Sequence, residues 1–359
     1  MAAALANLLP LGLHFGLADD VYHADPALGS TDLKAVFLDA IQFQFDRLYP
    51  ADTNDETYAK LWGSAFHARS LEGRNVFEAK YRIEPDPKTF KNLIVTDADV
   101  KLWLAENGVS TRGTKTKADR VKLIREADPT VHVWDVIKAQ FEDSLTDGVT
   151  GITAKMAKEI ALAIEWMGRH PKLAGVMMDG AFFGGAPEVS LFYEHEGVRL
   201  KCRFDYVFPG LFVDLKSFRP WRPREMRKTI IKAIRDFRYD LQSAAYRKGF
   251  AKARELYLSG NLAIHGEPPT SNFVDLLFQK DQIQWLWLMV KATGAPTSTL
   301  IEFPDELLVF EAAAREIEQA IAIYKSMVAQ FGEYKDWMPE PDVIVLDDSD
   351  FPTNFGIYS

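Results

Sequence analysis

The chain of 359 residues carries a formal net charge of −9, with 47% apolar and 26% charged residues. These fractions are typical of a globular protein, and the length is enough for one large hydrophobic core or two modest ones. A single cysteine, Cys202, excludes a disulfide framework and an iron–sulfur cluster held by four cysteines. The first twenty residues are apolar but lack a basic region and soon turn acidic. They predict neither a signal peptide nor a membrane span, and we expect a cytoplasmic protein.

Helical patterns dominate the first part of the chain. Residues 20–49 predict a capped helix, with Ser30 or Thr31 as the N-cap. Residues 57–72 carry a second apolar stripe at helical spacing, and His67 falls beside that stripe. Taken alone, such a histidine is more often a structural residue than a ligand.

Residues 96–128 predict two helices joined by a glycine-rich turn. This segment resembles small SAP-type or helix-extension-helix DNA-binding modules. Its basic side chains are Arg112, Lys115, Lys117, Arg120, Lys122 and Arg125. Two interpretations stay open for it, a DNA-binding accessory and a surface insertion without such a role.

Residues 188–218 predict three strands, with turn signals at 196–197 and 209–210. In the second strand, polar side chains that end in Asp205 alternate with apolar ones. In the third strand, Asp214 and Lys216 lie two residues apart and therefore point to the same face of the sheet.

These residue types at this spacing suit phosphodiester hydrolysis. Carboxylates on two neighbouring strands, here Asp205 and Asp214, can hold a hard divalent cation between them. Lys216, one pleat further on, can orient the attacking water or neutralise charge on the phosphate. Downstream, Gln242 and Tyr246 are four residues apart and share one face of a predicted helix. An ordinary solvated strand face would explain an isolated D-x-K, but the whole series favours a site.

The segment from Arg199 to Arg254 is strongly basic inside an acidic chain. It contains sixteen Lys or Arg and only five Asp or Glu. This asymmetry predicts a track that binds a phosphate backbone, and the alternative is a helix with a solvated basic face.

The series Glu188, Asp205, Asp214-Leu215-Lys216, Gln242 and Tyr246 resembles the PD-(D/E)XK nuclease superfamily in its RecB-like branch. Phe204-Asp205 stands where that pattern has its leading Pro-Asp. Residues 63–67, which end in His67, together with Leu71-Glu72 are similar to the G-x-x-x-H…LE element of the branch. Residues 22–34 are similar to the opening of phage-type exodeoxyribonuclease VIII (RecE-like) nuclease domains.

The resemblance implies an α/β fold, with a central mixed β-sheet flanked by helices and an N-terminal helical elaboration. It also implies a site that holds Mg²⁺, or Mn²⁺ in its place. The implied ligands are His67, Asp205, Asp214, Glu188 and the backbone carbonyl of Leu215. The implied catalytic residues are Lys216, Asp205, Asp214 and Glu188, supported by Gln242 and Tyr246.

The same resemblance implies an exonuclease that degrades double-stranded DNA ends in the 5′-to-3′ direction. It places this activity in phage-type recombination in a bacterial host cell, beside a single-strand annealing protein. It further implies a homo-oligomer, with neither a membrane nor a nucleotide as partner. Two alternatives stay open: an endonuclease with the same core, and a DNA-binding recombination accessory whose nuclease site is vestigial.

We divide the chain into four parts on these patterns. Residues 1–95 form the helical N-terminal part with the G-x-x-x-H element, 96–128 the insertion, 129–337 the nuclease core, and 338–359 an acidic tail. Within the core, residues 272–280 predict a further strand, residues 284–291 a buried segment and residues 304–331 a long closing helix.

Overall fold

This computed structural model describes residues 8–50, 57–220, 225–338, 345–347 and 350. The helices are α1 (Asp19–Ala24), α2 (Ser30–Leu38), α3 (Ala40–Leu48), α4 (Tyr58–His67), α5 (Arg74–Lys80), α6 (Asp97–Glu106), α7 (Lys117–Ala127), α8 (Trp134–Asp143), α9 (Ala154–Gly168), α10 (Met226–Phe237), α11 (Tyr239–Leu258), α12 (Phe273–Phe278) and α13 (Leu308–Phe331). The strands are β1 (Gly12–His14), β2 (Tyr81–Ile83), β3 (Thr150–Ile152), β4 (Met177–Met178), β5 (Ala181–Phe182), β6 (Ala186–His195), β7 (Val198–Phe208), β8 (Leu211–Phe218), β9 (Ile264–His265), β10 (Gln284–Lys291) and β11 (Ser298–Glu302).

The central sheet contains seven of the described strands in the order β11-β10-β8-β7-β6-β1-β9. Strands β6, β7 and β8 form an antiparallel meander, whereas β10 runs parallel to β8 and β9 runs parallel to β1. The predicted class, an α/β fold with a mixed sheet flanked by helices, is therefore confirmed. Both turns of the meander contain a glycine with positive φ, Gly197 and Gly210, where other residues would be strained.

Each face of the sheet packs against its own helical layer. Helices α2, α11 and α13 cover one face, and their core includes Phe204, Phe212 and Cys202, which is a buried free thiol as expected. Helices α4 and α9 cover the other face, and their core includes Tyr206 and Leu215. Strand β8 therefore lies between two hydrophobic cores, which determine the direction of each of its side chains.

The alternation of side chains along β7 changes phase at Asp205. Phe204 packs in the first core and Tyr206 in the second, although residues two apart normally share a face. On one side of this point β7 pairs with β8, from Phe208 back to Tyr206. On the other side, Leu28 exchanges backbone hydrogen bonds with Arg199 and Lys201 of β7. Strands β7 and β8 therefore separate near Asp205.

The insertion has a small core of its own. Helices α6 and α7 each begin with a capping box, formed by Thr96 with Asp99 and by Thr116 with Asp119. Buried apolar side chains join the two helices, and they are Ile94, Val100, Leu104, Val121, Ile124 and Val133. The segment therefore folds as a helix–turn–helix unit beside the main sheet.

Two predictions of secondary structure are wrong. Residues 20–49 form three helices, because Pro26 and Gly29 interrupt the first part and Asp39 adopts an extended conformation between α2 and α3. Residues 272–280 form helix α12 rather than a strand, since its buried side chains recur at helical spacing. The long closing helix is present as α13.

The predicted acidic tail, residues 338–359, lies mostly outside the described residues. Among the described helices, none combines the length and the apolar character that crossing a membrane requires.

Gly249 lets helix α11 approach the sheet closely. A Cβ atom at this position would lie 2.9 Å from Cys202 Sγ and 3.2 Å from Tyr193 Cε1. Because neither neighbour can move freely in the core, we expect Gly249→Ala to lower the free energy of unfolding by about 1–3 kcal/mol in a denaturant titration.

Gly168 at the end of α9 provides the control, since a Cβ atom there meets no other atom within 4 Å. Gly168→Ala should leave the free energy of unfolding unchanged or slightly higher. Equal stability of both variants and the wild type would contradict the close contact at Gly249.

Candidate active site

Asp205 and Glu188 face each other where the β6–β7 ladder is interrupted. Pro187 pairs with Tyr206 and Val189 pairs with Phe204, and the two acidic residues lie between these pairs. Glu188 has a φ of 49°, a left-handed conformation that is costly for a residue with a side chain. Strain of this kind is concentrated at functional sites, where it directs a side chain away from the regular pattern.

Asp205 links the two central strands through its carboxylate. The backbone N–H of Leu215 donates a hydrogen bond of 2.7 Å to Asp205 Oδ2. The same oxygen lies 3.8 Å from Nδ1 of His67. Burial raises the pKa of Asp205, and the Lys216 ammonium opposes that increase.

His67, at the end of α4, reaches the site from the second helical layer. Its Nε2 lies 2.8 Å from the Leu215 carbonyl, and because a carbonyl only accepts, Nε2 carries the proton. Burial, followed by the charge of Lys216, lowers the pKa of His67 to about 4, so the ring is neutral. The Nδ1 lone pair therefore faces the Asp205 carboxylate, an arrangement that a cation between the two atoms would stabilise.

His67, Glu188 and Asp205 together form a group that could hold a metal ion. One donor atom from each residue lies within 4.8 Å of the others. Burial and the neighbouring Asp205 raise the pKa of Glu188 well above its usual range. Arg203 Nε lies 4.0 Å from Glu188 Oε2. Oxygen ligands with one imidazole suit a hard or borderline divalent cation.

Asp214, which is buried, and Lys216, which is partly buried, form an ion pair next to this group. Lys216 Nζ lies 2.7 Å from Asp214 Oδ2, and Gln242 Nε2 donates a hydrogen bond of 2.9 Å to Asp214 Oδ1. Burial raises the pKa of Asp214 to about 6 despite the lysine. Burial would lower the pKa of Lys216, but the carboxylates of Asp214 and Asp205 outweigh it and keep the amine charged.

Two tyrosines of α11 complete the surroundings. The ring of Tyr239 lies 4.9 Å from Lys216 Nζ, within range of a cation–π interaction. Tyr246 packs edge-on against Phe204 at 5.3 Å, one turn after Gln242 on the same helical face. Helix α11 therefore contributes three side chains around the two strands.

A cleft of about 1980 Å³ opens onto the group formed by His67, Glu188 and Asp205, which we call the acidic group. His67, Glu188, Asp205 and Tyr246 lie in its wall, and the N-terminal helices form the opposite side. Sites for single small molecules occupy roughly 300–1,000 Å³, so this cleft is large enough for a longer ligand.

The basic segment is less available than its sequence predicts. Arg199 is paired with Asp25, Lys201 bonds backbone carbonyls of Tyr22 and Asp25, and Arg203 is paired with Asp19. Further along, acidic partners inside the chain engage Lys228, Lys232, Arg235, Arg238, Arg247, Lys248 and Lys252. The predicted phosphate-binding track therefore has fewer unengaged cations than the sequence indicates. The first three of these side chains hold the N-terminal segment against β7.

The structure brings all the predicted site residues to one region, but in two groups. His67, Glu188 and Asp205 are close together, whereas Asp214 contacts Lys216 and Gln242. The Leu215 carbonyl, a predicted ligand, accepts from His67 Nε2.

Sequence reasoning assigned no role to Arg203 or Tyr239. Arg203 is buried and donates to Ser190 Oγ at 2.9 Å, beside Glu188. Its position in an alternating polar run gave no sign of burial, and neither residue belongs to a motif.

Residues 140–263 match the family model described as a PDDEXK-like domain of unknown function. This stretch of the chain is similar to a PDDEXK-like domain. The matched range includes Glu188, Asp205, Asp214, Lys216 and the α11 residues of the site, and it does not include His67.

A solved structure from Eubacterium rectale, described as a "Putative exonuclease", is also similar to this chain. The two share 16% sequence identity with a TM-score of 0.33, over 62% of this chain and 73% of the other. A likeness of this size supports no conclusion about the chain. No curated protein matches it.

Proposed function

We propose that this protein is a metal-dependent deoxyribonuclease. The observation that carries the proposal is the partly buried Lys216, which is paired with the buried Asp214 next to the group of Glu188, Asp205 and His67. A lysine is costly to bury, and its position beside ligands for a divalent cation suits attack of water on a phosphodiester.

The donor set fits Mg²⁺, with Mn²⁺ as a substitute. Asp205, Glu188 and the Nδ1 of His67 would hold the ion, and Asp214 and the Leu215 carbonyl are the further predicted ligands. When bound, such an ion lowers the pKa of water and neutralises charge on the phosphate.

The remaining residues hold and orient the reacting groups. Lys216 donates hydrogen bonds from a charged ammonium to the attacking water or to a phosphate oxygen. Gln242 fixes one oxygen of Asp214, which keeps the other oxygen beside the lysine. Tyr239 limits the movement of the ammonium from one side through its ring face. Each of these contacts pre-organises the site before substrate arrives.

We infer further that the substrate is a double-stranded DNA end, degraded in the 5′-to-3′ direction. The support is the similarity of residues 22–34 to the opening of phage-type exodeoxyribonuclease VIII domains. The series from Glu188 to Tyr246 adds its similarity to the RecB-like branch of PD-(D/E)XK nucleases. A 3′ single-stranded tail would be the product, suited to a single-strand annealing partner in recombination. A homo-oligomer that encloses the DNA belongs to the same proposal.

Plasmid degradation in the presence of Mg²⁺ tests the class of activity. Linear plasmid should disappear while covalently closed circles survive. Loss of both forms would indicate an endonuclease with this core, and loss of neither would indicate a DNA-binding accessory.

Linear duplexes labelled at either the 5′ or the 3′ end test the polarity. Early release of the 3′ label with the 5′ label retained would contradict the 5′-to-3′ direction. The mass in solution tests the oligomer, and a stable monomer would contradict it.

We propose that the insertion helps to hold DNA. Of the six basic residues named above for the insertion, Arg120 is buried against Asp97, while Lys117 and Arg125 bond to backbone carbonyls. Three others, Arg112, Lys115 and Lys122, are exposed on the turn and on α7 and lie on one small unit. Exposed basic groups of this kind bind phosphates in a salt-dependent manner.

Replacing Arg112, Lys115 and Lys122 together by glutamine should weaken DNA binding and flatten its salt dependence. Each lost phosphate contact should lower the slope of log K against log salt by about 0.9. The measurement is a titration of fluorescent duplex DNA at several salt concentrations in EDTA.

The matched control removes three charges elsewhere. Lys138, Lys155 and Lys325 lie in exposed ion pairs on other helices, and their replacement by glutamine should leave the slope unchanged. An equal effect of both triple variants would favour the interpretation as a plain surface insertion.

A further inference from the structure

A second cavity, of about 490 Å³, lies beside the proposed catalytic lysine. Helix α4, helix α10 and the ends of β8 and β10 bound it. Ser217 and Lys60 line both this cavity and the large cleft, so the two spaces adjoin at the residue after Lys216. We call it the aromatic cavity, and its lining includes Trp62, Phe218, Phe237 and Tyr239.

Phe237 presents an aromatic ring at the mouth of the aromatic cavity. The residue is 63% exposed, although a phenylalanine in a folded protein is usually buried. Its ring stacks on Tyr239, with centroids 5.6 Å apart and an interplanar angle of 19°. Tyr239 in turn contacts Lys216. An aromatic platform therefore extends from the proposed catalytic residue to the surface.

The corner between α10 and α11 holds this platform in place. Arg238 separates Phe237 from Tyr239 in the sequence and has a φ of 56°, in the left-handed region that is costly for arginine. Its guanidinium donates to Asp240 Oδ2 at 3.0 Å and to Glu316 Oε2 at 2.7 Å. These two carboxylates hold Arg238 in its strained backbone conformation. In this conformation the neighbouring rings of Phe237 and Tyr239 stack nearly parallel.

The charges around the aromatic cavity favour an anionic ligand. Lys60, Arg219 and Lys232 line it, against the single carboxylate of Asp236. Asp236 is paired with Lys232, and the Arg219 guanidinium lies 5.6 Å from the ring centroid of Tyr58. Aromatic faces next to cations are the combination by which proteins hold single-stranded nucleic acid.

We propose that the aromatic cavity binds an unpaired nucleobase of the DNA strand next to the bond that is cleaved. The base would stack on Phe237, and the cations would contact the adjoining phosphates. A base in a duplex cannot enter, so the site would take a strand end whose last base pairs are open. This inference rests on the proposed function for its ligand, while its test requires no cleavage.

The test uses a short single-stranded oligonucleotide that contains the fluorescent base 2-aminopurine, titrated with the protein in EDTA. Stacking on an aromatic ring quenches this fluorophore. Phe237→Leu should weaken binding about tenfold and abolish the quenching, because one base–aromatic stack is lost. Phe237→Tyr keeps the ring and should retain both. The salt dependence of binding should be the same in Phe237→Leu as in the wild type, since no phosphate contact changes.

Phe45 provides the matched control, because it is 54% exposed and its ring also lies beside a second ring, that of Tyr49. Phe45→Leu should bind and quench like the wild type. The proposal is overturned if the wild type neither binds nor quenches the oligonucleotide, or if Phe237→Leu matches the wild type or Phe45→Leu. Quenching that depends on Phe237 in a protein that cleaves no DNA would retain the aromatic cavity and reject only the nuclease.

Discussion

Replacement of Lys216 by alanine should reduce the rate of DNA cleavage by about 10³-fold or more, because the reaction loses its positioned ammonium. Lys216 is the charged group whose pKa the carboxylates of Asp214 and Asp205 keep high inside the sheet. DNA binding should change little, since exposed basic groups supply most phosphate contacts. Turnover of a labelled linear duplex in Mg²⁺ and binding in EDTA give the two measurements.

Loss of the lysine also leaves the buried Asp214 without its cation, so folding must be measured by thermal unfolding. Lys216→Gln keeps a hydrogen-bond donor on a side chain one atom shorter but removes the charge. It should be as inactive as Lys216→Ala and more stable. Lys325→Ala breaks an exposed ion pair with Glu196 and should cleave like the wild type. A folded Lys216→Gln protein with near wild-type turnover would rule out the assignment of this lysine.

Replacement of Asp205 by asparagine should weaken the binding of Mn²⁺ by at least about 100-fold, since a charged ligand becomes a neutral amide. The asparagine can still accept the hydrogen bond from the Leu215 N–H, so the strands should stay in register. Calorimetric titration without DNA measures the affinity. A metal concentration of 100 times the Kd should stabilise the wild type by about 2.7 kcal/mol, and the variant should lose this gain.

Asp46 supplies the control for the metal titration. It lines the same cleft but lies outside the acidic group, and Asp46→Asn should bind Mn²⁺ like the wild type. Equal loss of affinity in both variants would mean that the ion responds to the general charge of the cleft. Unchanged affinity in Asp205→Asn would place the ion elsewhere.

The sequence was sufficient to predict the meander and the position of its polar residues. Strand patterns over residues 188–218, separated by two turn signals, specified three strands, and alternation in the third put Asp214 and Lys216 on one face. Helical spacing likewise put Gln242 and Tyr246 on one face of a helix, and in the structure Gln242 bonds to Asp214. Short-range periodicity carried these predictions, because it depends on neighbouring residues alone.

What the sequence did not predict depends on contacts between distant residues. Strict alternation could not show the change of phase at Asp205. That change arises where β7 stops pairing with β8 and pairs with the segment around Leu28 instead. Charge counting overestimated the basic track, since the partners of Arg199 and Arg203 lie more than 170 residues away. The apolar residues of 272–280 fit a strand or a short helix equally until their burial is known.

The position of a bound Mn²⁺ ion, measured by anomalous scattering from soaked crystals, tests the central claim most directly. We expect one peak within coordinating distance, about 2.0–2.2 Å, of an Asp205 carboxylate oxygen, with Glu188 and the Nδ1 of His67 around it. Lys216 Nζ should stay beside Asp214 in the same crystal. A peak that does not touch Asp205, in crystals of a protein that cleaves DNA, would contradict the account.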